Sequence, residues 1–269
     1  MITKKIGFIG MGNMSWAIIG GMLKAEVISP HDLLVSDLDP LKLEKAEKEF
    51  GVKTMTDSKA LASVSDFIVM AVKPNVFDQV AEEILPHLRK DTVIISIAAG
   101  KNMGAMATVF GEDKKMVRTM PNTPALAGAG MSALFPNDHV TLEEMADVEK
   151  IFNSFGKSEV VPEALFHSVI GVAGSSPAYV FMFIEAMADA AVVAGMPRDM
   201  AYTFASQAVY GAAKLVMESD KHPGELKDMV CSPGGTTIEA VAALEMNGFR
   251  GAVMKGIKAC IEKSETMEK

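Results

Sequence analysis

Aromatic side chains are scarce in this chain, 6% of its residues with one Trp, three Tyr and 13 Phe, so large rings are expected to supply only a small part of its interior. Ala, Val, Ile, Leu and 21 Met must fill it instead, within a hydrophobic content of 49%. That composition points to many closely packed helices. Cysteine is nearly absent: Cys231 and Cys260 form no CxxC and no Cys/His ligand spacing, so no metal signature is present and a reducing cytoplasm is the expected location. Basic residues are outnumbered, 26 Lys and Arg against 34 Asp and Glu for a net charge of −8, and they do not cluster. A general affinity for nucleic acid or anionic membrane is thereby excluded, because phosphate binding needs a basic face. Histidines 31, 87, 139, 167 and 222 are scattered without metal-ligand spacing. No apolar run reaches the ~20 residues that a membrane-spanning helix needs. The first strand is expected within about five residues of Met1, which leaves no room for a signal peptide.

What is present is an alternation. The stretch "KKIGFIG" reads as a strand and "MGNMSWAIIGGMLKAE" as a helix, by the spacing of their apolar positions. "LLVSD" is a second strand, and "PLKLEKAEKEFG" is a helix opened by Pro40 and closed by Gly51. "DFIVMAV", "TVIISIA", "KMVRTM" and "MSALF" continue the strands, with helices over 76–88 and 142–155. This order predicts an α/β fold, a Rossmann-type doubly wound and mostly parallel sheet. The strands stop near Val161, and residues 177–194, 198–218, 238–247 and 249–263 read as helices. The expected division is a dinucleotide-binding domain over 1–161 and an all-helical domain over 162–269.

Gly10-Met11-Gly12-Asn13-Met14-Ser15 follows the first strand and opens a helix, a GxGxxG pattern with Ser in its third glycine place. Gly10 permits the turn, Gly12 lets backbone approach a pyrophosphate, and the third place needs only a small side chain. Asn13 and Met14 then stand at the helix start. Asp37, 25 residues beyond Gly12, has two readings: an acceptor for the adenosine ribose hydroxyls, or a solvated turn acid before Asp39-Pro40. Two further strand ends, Ala71-Val72-Lys73-Pro74 and Ala98-Ala99-Gly100, run into small residues where such sheets bind ligands. Lys73 is either a surface lysine or a charge near the pyrophosphate. Pro121, Asn122 and Thr123 either hold polar groups of a ligand or form a tight turn.

Taken together, "GFIGMGNM", "MAVKP", "RTMPNTPALAGAG", "GSSPAYVFMFIEAMADAAVVAGMPRDMA", "HPGELKDMV" and "SPGGTTIEAVAALE" resemble the pyrroline-5-carboxylate reductases, in order and over nearly the whole chain. The resemblance implies reduction of (S)-1-pyrroline-5-carboxylate to L-proline, the last step of proline biosynthesis, by NADH or NADPH. It also implies a helical C-terminal dimerisation domain, with the homodimer often assembled into a ring of dimers. Three departures stand out. Ser176 occupies a place where the family usually has glycine, and His167-Ser168 one where it often has an acid. Asp37 stands where NADP-preferring members offer a neutral or basic group, which suggests NADH preference here.

The stretch "SPGGTT" has a physical reading beside the resemblance. A turn around Gly234-Gly235 aims N–H groups inward, and the helix that follows adds its unpaired amides and positive dipole end, so a carboxylate can be held without a cation. The resemblance places carboxylate binding on Ser232, Gly234, Gly235 and Thr236. It places the imine-nitrogen contact and the catalytic role on Thr237, whose hydroxyl can donate to an imine or accept from an iminium. His222, before Pro223-Gly224, reads as shaping the next helix.

"EAMADAAVVAG" and "ASQAVYGAAKLV" leave little clearly solvated face, and burial across a two-fold axis would cover them. Two rivals are a β-hydroxyacid dehydrogenase or imine-reductase-like oxidoreductase, which should carry a catalytic lysine motif in the helical domain, and a nucleotide-sensing protein, which need not keep "SPGGTT".

Overall fold

The computed structural model describes residues 1–268. Eight strands form one sheet: β1 Ile6–Ile9, β2 Leu33–Ser36, β3 Lys53–Met55, β4 Phe67–Met70, β5 Val93–Ser96, β6 Lys115–Met120, β7 Gly130–Pro136 and β8 Gly156–Val160. Their spatial order is β3-β2-β1-β4-β5-β6-β7-β8. The first six run parallel, β7 turns antiparallel to β6, and β8 runs parallel to β7. Helices α1 Asn13–Lys24, α2 Pro40–Phe50, α3 Ser58–Val64, α4 Phe77–Ile84, α5 Met103–Phe110 and α6 Leu142–Asn153 alternate with these strands. They are followed by α7 Phe166–Val169, α8 Ser176–Val193, α9 Arg198–Glu218, α10 Pro223–Met229, α11 Thr236–Met246 and α12 Phe249–Met267. The doubly wound Rossmann-type fold and the helical C-terminal half are as the sequence predicts.

By its internal contacts the chain forms two compact units, residues 1–174 with 261–268, and Ser175–Cys260. In the first, every residue of β1, β2, β4 and β5 is buried, as a sheet covered on both faces requires. One face packs Ile18 and Met22 of α1 with Val148, Ile151 and Phe152 of α6. The other packs Leu61 of α3 with Phe77, Ala81 and Ile84 of α4 and Met106 and Phe110 of α5. The strands end near 161, but the compact unit continues to Gly174. Phe166 is buried in it at 1% exposure, with the Arg118 guanidinium 4.3 Å from its ring centre.

Several local expectations are corrected. The helix over 76–88 is α4 alone, flanked by 3-10 turns at Pro74–Val76 and Leu85–His87, because Pro86 cannot continue a helix. Strands β3 and β8 and helix α10 add to the expected elements. The absence of a long apolar run is also corrected: residues Glu163–Val193, 31 residues of successive helical pieces, include a window of mean hydropathy 1.4 that passes for a membrane span by length and composition only. Gly174-Ser175-Ser176-Pro177 reads as a helix start in sequence, and the structure agrees: a π turn at Ile170–Gly174 ends at a bend, and Ser175 is the N-cap of α8.

In the second unit, α8 packs along α9. Burial within one chain is slight: Pro177 and Ala188 of α8, and Ala201 and Ala205 of α9. Phe181 and Phe204 are 61% and 62% exposed, and Met182, Tyr210, Met217 and Met254 of the same unit are exposed as well. An apolar surface of this extent on a single chain marks an interaction face.

Candidate active site

The glycine loop between β1 and α1 is folded by contacts that only small residues allow. Gly10 has φ +99°, and a Cβ there would lie 2.7 Å from the Ala71 carbonyl oxygen. Ser15, fully buried, donates to the Gly10 carbonyl at 2.7 Å, so the serine in the third place ties the turn to the helix. No atom lies within 4 Å of where a Gly12 side chain would begin, and no side chain caps α1. The first amides of α1, at Asn13 and Met14, are therefore left to an outside acceptor, which suits a pyrophosphate.

Asp37 is tied into the protein rather than solvated. Its Oδ2 accepts from the Met11 N–H at 2.7 Å and from Lys42 Nζ at 3.4 Å, and its Oδ1 from the Asp39 N–H at 2.9 Å. Burial works against ionisation, but the two backbone donors and Lys42 outweigh it and hold the carboxyl below its ordinary 3.8. The side chain is 12% exposed. Beside it opens a hollow of about 510 Å³, lined by Met11, Gly12, Asn13, Trp16, Leu41, Lys42 and Lys45. Lys45 Nζ stands 4.4 Å from the Trp16 ring centre. Trp16 and Lys45 escape the sequence reading. Their only signals are the chain's single Trp next to the motif and a Lys three residues beyond Lys42 on the same helical face.

The other strand ends reach the same sheet edge. Ala71 and Val72 are half-buried where β4 ends, and Lys73 and Pro74 are exposed at the start of the next 3-10 turn. After β5, Ala98 is buried and Ala99 exposed, while Gly100 turns with φ +75°. The turn is pinned at its base, where Ser96 Oγ accepts from the Ala98 N–H at 3.3 Å and the Ser96 carbonyl accepts from Thr119 Oγ1 at 2.9 Å. Pro121 and Asn122 are buried, and Thr123 is exposed. The Asn122 amide is spent within the protein: Oδ1 accepts from the Met131 N–H at 2.8 Å and Nδ2 donates to the Ala173 carbonyl at 3.0 Å. Asn122 thus shapes the loop, with one donor and one lone pair of its side chain still open.

In the helical unit, residues 232–235 close a β-turn in which the Gly235 N–H donates to the Ser232 carbonyl at 3.0 Å. Pro233 at its second position and Gly234 with φ +67° at its third are the signature of type II. Gly235 is the N-cap of α11, and no side chain bonds the helix start. The amides of Thr236 and Thr237 are thus left open, and among the described residues neither threonine hydroxyl has a partner. Ser232, Gly234 and Thr236 are exposed and Gly235 and Thr237 half-exposed. Just upstream, His222 caps α10: its Nδ1 accepts from the Gly224 N–H at 3.0 Å, and Glu225 accepts from the His222 N–H. That is the helix-shaping role read from sequence.

Residues 163–267 match the family model for pyrroline-5-carboxylate reductase dimerisation, and residues 5–100 that for the coenzyme F420-dependent NADP oxidoreductases. The pyrroline-5-carboxylate reductase of Escherichia coli is 52% identical over 268 residues, covering all of both chains. Among solved structures, the pyrroline-5-carboxylate reductase of Coxiella burnetii superposes with a TM-score of 0.94 at 32% identity. The Plasmodium falciparum pyrroline carboxylate reductase, with NADP bound, superposes at 0.90 and 33%; both cover the whole of each chain. With identity of this depth from end to end, the chain belongs to the pyrroline-5-carboxylate reductase family.

Proposed function

We infer that this chain is an oxidoreductase that reduces pyrroline-5-carboxylate to proline with NAD(P)H, in proline biosynthesis. The observation that carries the reading is the full-length 52% identity to the Escherichia coli enzyme. A type II turn with open amides and free threonine hydroxyls supports it. A bound nicotinamide would supply the hydride taken up by the C=N carbon of the protonated imine, which gives the amine of proline. Everything else falls to the chain. Gly10, Gly12, Asn13 and Met14 hold the pyrophosphate through backbone. Ala71–Pro74, Ala98–Gly100 and Pro121-Asn122 shape the rest of the cofactor site.

Ser232, Gly234 and Thr236 hold the substrate carboxylate through backbone N–H groups, and Gly235, whose own N–H closes the turn, shapes the cradle, so the anion is bound without a cation placed beside the iminium. Thr237 Oγ1 contacts the imine nitrogen and orients the C=N bond. The chain should use NADH at least as well as NADPH, because an Asp37 carboxylate facing the adenosine ribose would accept from its hydroxyls and repel a 2′-phosphate. Lys42 and Lys45 keep a 2′-phosphate tolerable there.

Turnover of the cyclic imine acid, followed by nicotinamide absorbance and set against 3-hydroxy acids, tests the activity. Loss of absorbance with the imine alone is expected, and turnover of the hydroxy acids alone would overturn it. The chain forms an oligomer through its helical unit, and we propose a homodimer that can assemble further into a ring of dimers. The expected location is cytoplasmic.

A further inference from the structure

Arg118 of β6 is a buried cation at the edge of the cofactor region, 4% exposed, and its two charge partners come from far along the chain. Its Nη1 donates to Glu163 Oε1 at 2.8 Å and its Nη2 donates to Glu268, beyond the end of α12. Glu268 is held in turn by His167, whose Nε2 lies 3.5 Å from Oε2 and whose Nδ1 meets Ser264 Oγ at 2.9 Å. Glu163 Oε1 has a second donor, the Met103 N–H at 2.7 Å. Met103 is the first residue of α5, whose own cap Asn102 accepts from the Ala105 N–H at 2.8 Å. Glu163 therefore fixes the exit of the turn that begins at Ala98, three residues after Gly100. The Met267 carbonyl oxygen lies 3.9 Å from where a Gly100 side chain would begin.

We propose that Arg118 and Glu163, closed by Glu268, form a clasp that positions the Ala98–Gly100 turn for the cofactor. Glu163 and Arg118 are positioning residues: they act through the Met103 amide and the C-terminal segment. The physical reason is rigidity. A turn of two alanines and a positive-φ glycine has no large side chain to anchor it, so its geometry is set by what grips its two ends. Ser96 and Thr119 grip the first end, and Glu163 the second. A buried Arg deprived of one carboxylate does not relax into water, so the loss is felt locally rather than absorbed.

The inference rests on that turn belonging to the cofactor site, and the experiment separates the two. In the full-length enzyme, Glu163→Ala should raise the cofactor KM about tenfold and lower kcat by a similar factor, as a misplaced but intact site does. In the cofactor-free protein, the same change should speed hydrogen exchange over 99–103 at least tenfold relative to the β4 amides. Glu163→Gln keeps an acceptor for Met103 and should recover most of both. Deletion of residues 267–269 should reproduce the exchange change more weakly. Unchanged kinetics and exchange in Glu163→Ala would overturn the clasp. Ala99→Leu checks the underlying site: normal cofactor binding in that variant would remove the turn from the site, whatever Glu163 does.

Discussion

Thr237 is where the chemistry can be tested with one hydroxyl. Replacing it by Val nearly keeps its shape, at the half-exposed second residue of α11. Loss of a hydrogen bond made in the transition state should cost about 1–3 kcal/mol, roughly 5- to 150-fold in kcat/KM, with cofactor KM unchanged. Steady-state kinetics within twofold of the parent would remove the assigned role. Asp37 carries the second test. Asp37→Ser with Leu38→Arg removes the carboxylate and adds a guanidinium at a position 94% exposed, so cofactor preference should move towards NADPH in paired titrations. A parent preferring NADPH more than about tenfold would mean that Lys42 and Lys45 dominate the carboxylate. The motif and Asp37 were visible in sequence because glycine spacing and a strand-end acid are local. The grip of Met11 on Asp37 was not, since a backbone amide leaves no residue-type signal.

The elements of the sheet half were legible where they are buried on both faces and invisible where they are edges. β1, β2, β4 and β5 are mostly apolar and wholly buried, whereas β3 and β8 are three and five residues of polar-rich sequence with no fully buried position. The glycine loop gives a sharp test of an element: Gly10→Ala adds a Cβ 2.7 Å from a backbone carbonyl at a positive φ. About 1–3 kcal/mol of stability should be lost in urea melts, together with cofactor affinity. Helix α6 and the β2 end share a pH signature. Asp37, Glu144 and Asp147 are all held below their ordinary values; burial opposes this, but backbone donors at Asp37 and the lysine partners Lys115, Lys150 and Lys4 at the other two prevail. A carboxyl whose folded pKa is depressed stabilises the fold above its unfolded pKa and loses that contribution as pH falls through the folded one. The urea midpoint should accordingly be unaffected by these groups between pH 5 and 7 by their ordinary values of 3.8 and 4.5, and fall below them. A midpoint that rises on acidification through pH 4 would contradict the assignment.

The helical unit explains why a chain so rich in methionine and poor in rings has to associate. Its helices bury four residues between α8 and α9 but expose Phe181, Met182, Phe204 and Tyr210. The need for a partner was legible in sequence from helices with no clear polar face. The π turn at Ile170–Gly174 was not, because a π turn has no residue code of its own. Light scattering should report a dimer or a multiple of it at micromolar protein. Phe204→Glu, at 62% exposure in one chain, should shift the population towards monomer and lower its melting temperature, and a stable, active monomer would defeat the interface.

At the scale of the whole molecule, the proposed activity depends on the turn at 232–237 holding a carboxylate while the adjacent C=N bond is reduced. The most direct measurement compares kcat/KM for pyrroline-5-carboxylate with that for 1-pyrroline, the same cyclic imine without its carboxylate. Backbone donors built for an anion are left unpaired by the smaller substrate, so the ratio should exceed ~100-fold. A ratio near one would mean that the turn does not bind the carboxylate.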